Sequence, residues 1–279
     1  MVEINTLNLS SDNHGEGIIW IHETNEIAWV EVFQSPKIRK YNVKNQTINS
    51  INLPGPISSF APLKDKGFLV TMDGGFYIVS NANEITLKAK PKSFLSNEFL
   101  NDGRCDSKGR YLCASMDLEM KNQIGKLYQL DLKGQIRILD QDFIVGNGLA
   151  FSPNEDFLYV SDSRKDIIWR YDYNIFSGDI SNKKQFFSTS DIEGRPDGAA
   201  IDQFGNYWSA LFEGGAIICI NHQTGKISSS ITLPVTYPTM CCFGGKTLDE
   251  LYVTTSQRLL SKVQIINQPL AGKIFKISN

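Results

Sequence analysis

The sequence predicts an all-β fold: one six-bladed β-propeller of four-stranded antiparallel blades, spanning residues 1–279 as a single domain. Three observations predict it. β-rich runs preceded by Gly, Asn or Asp turns recur six times, at Ile27–Glu31, Phe68–Met72, Tyr111–Ser115, Phe157–Ser161, Tyr207–Leu211 and Leu251–Thr255. Their centres stand roughly 41 to 49 residues apart, the length of one four-stranded blade. Helical periodicity is nowhere sustained for about ten residues, so α/β folds lack their main requirement. A large sandwich has no reason to repeat six times at a near-constant interval.

Each anchored run reads as the second strand of its blade. A third alternating segment follows, as in Lys37–Val43, Gly125–Leu130, Ile167–Tyr171, Ala216–Ile220 and Gly272–Ile277. Turns such as Lys133-Gly134, Ser177-Gly178 and Thr224-Gly225 lead into a fourth strand, as at Gln135–Leu139. Upstream of each anchored run lies the inner strand that lines the axis. The six inner strands begin at Gly15, Ile57, Leu100, Gly146, Arg195 and Pro238. The last repeat stops at its third strand, so the segment Val2–Leu7 is expected to supply the missing outer strand and close the ring, hiding both edges.

Composition narrows the chemistry. With 28 basic and 30 acidic residues the net charge is −2, which leaves no electrostatic footprint for nucleic acid. No run of about 18 apolar residues marks a membrane span. The opening Met1-Val2-Glu3-Ile4-Asn5 lacks a basic, then apolar, leader, so no signal peptide is expected. The five cysteines form no CxxC pair and read as reduced, mostly buried thiols of a cytoplasmic protein.

Polar residues recur at one place in the inner strands: Glu16, Ser58 or Ser59, Asn101, Asn147, Asp197 and Thr239. Each alone reads as a turn cap. Together at matching points of the repeats, two carboxylates and two amides point to a site, because left unpaired they are costly. A hard divalent cation with oxygen ligands, Ca²⁺, Mg²⁺ or Mn²⁺, satisfies them, whereas Zn²⁺ usually prefers His or Cys. His14 stands two residues before Glu16, where it either supports that site or faces solvent. GxSxG, HExxH and P-loop signatures are absent.

The same residues carry a family resemblance. Gly15-Glu-Gly-Ile-Ile-Trp20 resembles the GExPxW opening of the senescence marker protein (regucalcin), gluconolactonase and luciferin-regenerating enzyme family. Asn101–Arg110 resembles its NDGxxDxxGR stretch, and Gly146–Pro153 with Leu158–Ser163 its xNGLxxSxD…YxxDS segment. Arg195-Pro-Asp-Gly198 resembles PDG, and Cys241–Gly245 with Leu251–Thr255 the last blade. The resemblance implies a six-bladed propeller with one divalent cation in its channel, Ca²⁺, Mg²⁺, Mn²⁺ or Zn²⁺, held by Glu16, Asn147 and Asp197. It implies hydrolysis of sugar lactones to aldonic acids, with Asp197 or a metal-bound hydroxide as the base. Asn101 would contact substrate or a metal-bound water.

The specificity residues depart from the pattern. Phe99 stands where many members carry an arginine, and Asp117 or Glu119 can replace it as a hydroxyl-binding group or face solvent. The expected partner is a small-molecule sugar lactone, with no nucleic acid and no membrane, and the chain is expected as a monomer or weak dimer. A metal-dependent esterase or organophosphate hydrolase, and a calcium-binding propeller without catalysis, are the alternatives.

Overall fold

The computed structural model describes residues 2–64 and 67–278. It contains six four-stranded sheets, and in each the neighbouring strands run antiparallel. The protein is a six-bladed β-propeller. Its contacts divide it into two compact units of three blades each, Met1–Pro56 with Ile192–Asn279, and Ile57–Asp191.

In the first unit, blade 1 runs through strands Gly15–Ile21, Glu26–Glu31, Lys37–Asn42 and Thr47–Asn52. Blade 5 runs through Arg195–Ile201, Tyr207–Phe212, Ala216–Ile220 and Ile227–Thr232. Blade 6 has Pro238–Gly244, Glu250–Thr255 and Phe275–Ser278 from the C-terminal end of the chain, and Glu3–Thr6 as its outer strand. In the second unit, blade 2 holds Ile57–Leu63, Gly67–Met72, Gly75–Val79 and Ile85–Ala89. Blade 3 holds Glu98–Cys105, Tyr111–Asp117, Gly125–Leu130 and Ile136–Phe143. Blade 4 holds Gly146–Phe151, Phe157–Asp162, Ile167–Asn174 and Asp179–Ser188.

The six anchored runs are the second strands, as their composition predicts. Such a strand is buried on both faces, so it reads as a continuous apolar run and not as an alternation. Ile27, Ala28, Trp29 and Val30 are all buried. Trp29 packs with Ile18, Ile27, Tyr41, Met240, Cys242 and Tyr252 between blades 1 and 6. Leu112, Leu127, Leu149 and Val160 fill the space between blades 3 and 4. The fourth strands carry Ser, Asn and Lys and stay exposed, as in Thr47–Asn52. No helix among the described residues is long and apolar enough to cross a membrane. The short helix Lys262–Asn267, with a Ser261–Gln264 capping box, interrupts blade 6.

The N-terminal segment closes blade 6. Glu3 pairs with Ser278 and Thr6 with Phe275, and the Leu7 amide continues the ladder to the Ile274 carbonyl at 2.9 Å. Deleting Val2–Leu7 would open that edge and expose the backbone of Phe275–Ser278. Differential scanning calorimetry of the truncated protein is expected to show a fall in Tm of roughly 5–10 °C; an unchanged Tm would mean that the strand contributes nothing to the blade.

Candidate active site

The inner strands do not pair evenly. In blade 1, Glu16 stands opposite Val30 while Ile19 stands opposite Ala28, so one extra residue is inserted on the inner side. The same one-residue bulge interrupts the other five, between Ile57 and Phe60, Leu100 and Gly103, Asn147 and Ala150, Pro196 and Ala199, and Pro238 and Met240. Every polar residue singled out in the sequence lies within or beside a bulge. A bulge kinks the strand and re-aims the side chains next to it. The backbone explains the flanking glycines at two positions. Gly17 (φ 63°) and Gly148 (φ 59°), directly after Glu16 and Asn147, adopt the left-handed conformation that glycine accepts most readily.

In the first unit, Glu16 and Asp197 occupy matching bulges of blades 1 and 5. Glu16 is half-buried and its Oε2 accepts the Gly17 amide at 2.8 Å. Asp197 is buried. Thr239, in the bulge of blade 6, is an internal strut: its hydroxyl donates to the Gly15 carbonyl at 2.6 Å and meets the Thr254 hydroxyl at 2.8 Å. His14 lies at the entry to the inner strand. Its Nδ1 is 2.8 Å from the Ser256 hydroxyl, and its ring is 5.4 Å from Phe33 and 6.5 Å from Phe212. Burial, aided by the Arg258 charge, pushes the imidazole down to about 3, so it is neutral at physiological pH.

In the second unit, Asn147 is buried; its Oδ1 accepts the Gly148 amide at 3.0 Å and its Nδ2 faces the Ser163 hydroxyl at 3.4 Å. Asn101 is half-buried and its Nδ2 donates to the Gly146 carbonyl at 3.1 Å, directly before Asn147. The Ser58 hydroxyl donates to the Asn101 carbonyl at 2.7 Å. Asp102 ties two inner strands together, accepting the Gly103 amide at 2.8 Å and the Leu149 amide at 2.7 Å. Burial pushes its carboxyl up, against the opposing pull of Arg104 and the amides.

The two carboxylates expected to replace the missing arginine part company. Asp117 is fully buried and accepts N–H groups from Asn122 (2.8 Å), Lys121 (3.1 Å) and Glu119 (3.3 Å), as well as the Asn122 side chain. Those donors, the Asn122 amide first, hold its carboxyl below the usual carboxylate range. Asp117 therefore does not face solvent, and its oxygens fold its own loop. Glu119 is exposed, 3.5 Å from Lys121. Phe99 is half-buried opposite Met116.

The sequence reading passed over Glu31 and Asp162, which do for blades 1 and 4 what Asp117 does for blade 3. Each of the three ends a second strand. Buried Glu31 accepts the amides of Asn13 (2.6 Å), His14 (3.1 Å), Gln34 (3.2 Å) and Phe33 (3.3 Å). Asp162 accepts those of Ile144 (2.9 Å), Val145 (3.1 Å) and Arg164 (3.1 Å). Each carboxylate thus fixes the backbone that leads into Glu16 or Asn147. The available signal was an acid at the last position of aligned runs, visible once the repeats are superposed.

The family model described as the SMP-30/Gluconolactonase/LRE-like region matches residues 14–257. The chain belongs to this family. Among its relatives, regucalcin of Sus scrofa is 31% identical over 271 residues, covering 95% of this chain and 90% of the relative. The 6-deoxy-6-sulfogluconolactonase of Pseudomonas putida is 30% identical over 265 residues, covering 94% and 89%. A solved luciferin-regenerating enzyme superposes with a TM-score of 0.93 at 26% identity, covering 100% of this chain and 96% of that one. Blade 3 of this chain carries the half-buried Phe99 and the buried, loop-folding Asp117. Among the described residues no three His, Cys, Asp or Glu side chains gather as a metal site.

Proposed function

We propose that the protein hydrolyses sugar lactones to aldonic acids with one divalent cation, Glu16, Asn147 and Asp197 being its protein ligands. The observation that carries the reading is the repeated inner-strand bulge of blades 1, 4 and 5, at which all three oxygen-bearing side chains lie: Glu16 and Asn147 are the last paired residues before it, and Asp197 is the first residue within it. Family membership and relatives named as lactonases support the reaction. The donor chemistry fits a hard cation: two carboxylates and an amide oxygen, with no sulfur or imidazole among the proposed ligands. A cation bound there supplies Lewis-acid polarisation of the lactone carbonyl.

The chain's own residues do the rest. Asp197 accepts the proton of the attacking water, a role a buried carboxylate can fill when the water is within hydrogen-bond reach. Asn101 positions the substrate, its amide fixed by the Gly146 carbonyl. Asp162 and Glu31 hold the strand entries so that Asn147 and Glu16 are set before substrate arrives.

A metal-by-substrate panel tests this. Chelator-stripped protein, given one divalent ion at a time, is assayed for acid release from gluconolactone and pentonolactones. Turnover is expected only with metal, and metal-independent turnover overturns the cation's role. Glu16→Gln keeps the shape and removes a charge, so it is expected to weaken metal binding about tenfold or more by calorimetric titration. Wild-type affinity in that variant would remove Glu16 from the ligand set.

A further inference from the structure

We propose that the lactone this protein hydrolyses carries an anionic substituent, and that Arg258 in the first unit binds it. The inference rests on the lactonase reading and specifies its substrate class. Ser256, Gln257 and Arg258 follow the second strand of blade 6, and His14 enters the inner strand of blade 1. The two segments are joined by an isolated bridge between His14 and Ser256 and by the Gln257 amide donating to the Asn13 carbonyl at 3.0 Å. Arg258 is thereby anchored beside the strand that carries Glu16, and its amide donates to the Ser256 hydroxyl at 3.2 Å.

Its guanidinium lies over the Phe33 ring, 3.9 Å from the ring centre. The ring packs against the guanidinium, whose forked N–H donors suit a carboxylate, phosphate or sulfonate. Four arginines of the chain, at 39, 110, 137 and 195, have a carboxylate partner within 2.9 Å. Arg258 pairs with no carboxylate among the described residues and is solvent-exposed. The contrast is sharpest with Arg195, at the head of the blade 5 inner strand, which Glu213 neutralises at 2.9 Å.

A row of half-buried rings continues from the cation. Phe33 neighbours His14 at 5.4 Å, His14 neighbours Phe212 at 6.5 Å, and Phe212 neighbours Tyr237 at 4.7 Å. The row is a wall of rings with the Arg258 cation at its end. Such a wall suits the carbon face of a lactone ring, and the cation suits a charged group displaced from the reacting carbonyl.

The test uses a matched pair, D-galactono-1,4-lactone and D-galactaro-1,4-lactone, which differ only in a CH₂OH against a carboxylate at C6. Wild-type protein is expected to show a kcat/KM at least about tenfold higher for the carboxylated lactone. Arg258→Gln is expected to lower that preference about tenfold or more, mainly through KM, with Arg258→Lys intermediate because it keeps the charge and loses the fork. A preference ratio equal to wild type in Arg258→Gln overturns the proposal. Should neither lactone be hydrolysed by wild-type protein, the lactonase reading fails, and calorimetric titration with galactarate decides Arg258 separately. Binding lost in Arg258→Gln supports the anion site, and binding unchanged overturns it.

Discussion

Asp197→Ala is expected to abolish lactone hydrolysis at saturating metal, with kcat at least about a hundredfold down, the usual contribution of a positioned general base. The side chain is buried in the bulge of the blade 5 inner strand, between Pro196 opposite Leu211 and Ala199 opposite Ser209. Nothing can substitute in place. Alanine removes both the proton acceptor and one proposed ligand charge, so metal affinity is measured in the same variant to separate the two losses. At metal concentrations that saturate it, the remaining deficit belongs to proton transfer. Asn101→Ala provides the contrast, since loss of a positioning amide is expected to cost a few-fold to about tenfold. Near-normal turnover by metal-saturated Asp197→Ala would remove the carboxylate from the chemistry.

Glu31→Ala is expected to be the most destabilising single substitution at this end of blade 1, by about 3 kcal/mol, which for a chain of this size is roughly 6–12 °C in Tm. Four backbone N–H groups converge on its carboxylate, at 2.6 Å, 3.1 Å, 3.2 Å and 3.3 Å. Alanine strands them on a residue that is 2% exposed, where water replaces the lost acceptor only by opening the loop. Because Asn13 and His14 run directly into Glu16, the same variant is expected to weaken metal binding although Glu31 is not among the proposed ligands. Glu31→Gln retains one acceptor oxygen but sets an amide NH₂ against backbone donors, so it recovers only part of the loss. Urea unfolding within 0.5 kcal/mol of wild type, about the scale of an ordinary surface substitution, would show that the four bonds are dispensable.

The propeller was legible because its second strands are buried on both faces. That forces apolar runs such as Phe157–Ser161, and the turn chemistry between them spaces those runs evenly. The closing strand was legible for a topological reason: a blade ending at Gly272–Ile277 lacks an outer partner, and Val2–Leu7 was unassigned. The helix Lys262–Asn267 left no trace, since it buries none of its residues and so shows no apolar stripe. At the site, residue types were legible and their geometry was not. One inserted residue leaves both halves of an inner strand reading as ordinary, and only Gly17 and Gly148 hint at it. The burial of Asp117 could not be read, because local pattern does not say whether a carboxylate after a strand turns outward or folds back to collect amides. That is decided by the path of residues 118–122, which carry no periodic signal.

The bulges also bear on how readily such a protein can be redirected. A residue in an even ladder is bound by register, since its neighbours fix which face it shows and shifting it would flip the rest of the strand. Residues at Glu16–Ile19, Asn147–Ala150 and Pro196–Ala199 are exempt, because the extra residue absorbs the mismatch locally. The side chains proposed to react are thereby insulated from the alternation that stabilises each blade. Directed evolution toward a new ester, or toward a different ion, can vary these positions together while the second and third strands keep their pairing untouched. Selection on such a library would act on chemistry first and on folding second, the reverse of the order that constrains most buried positions.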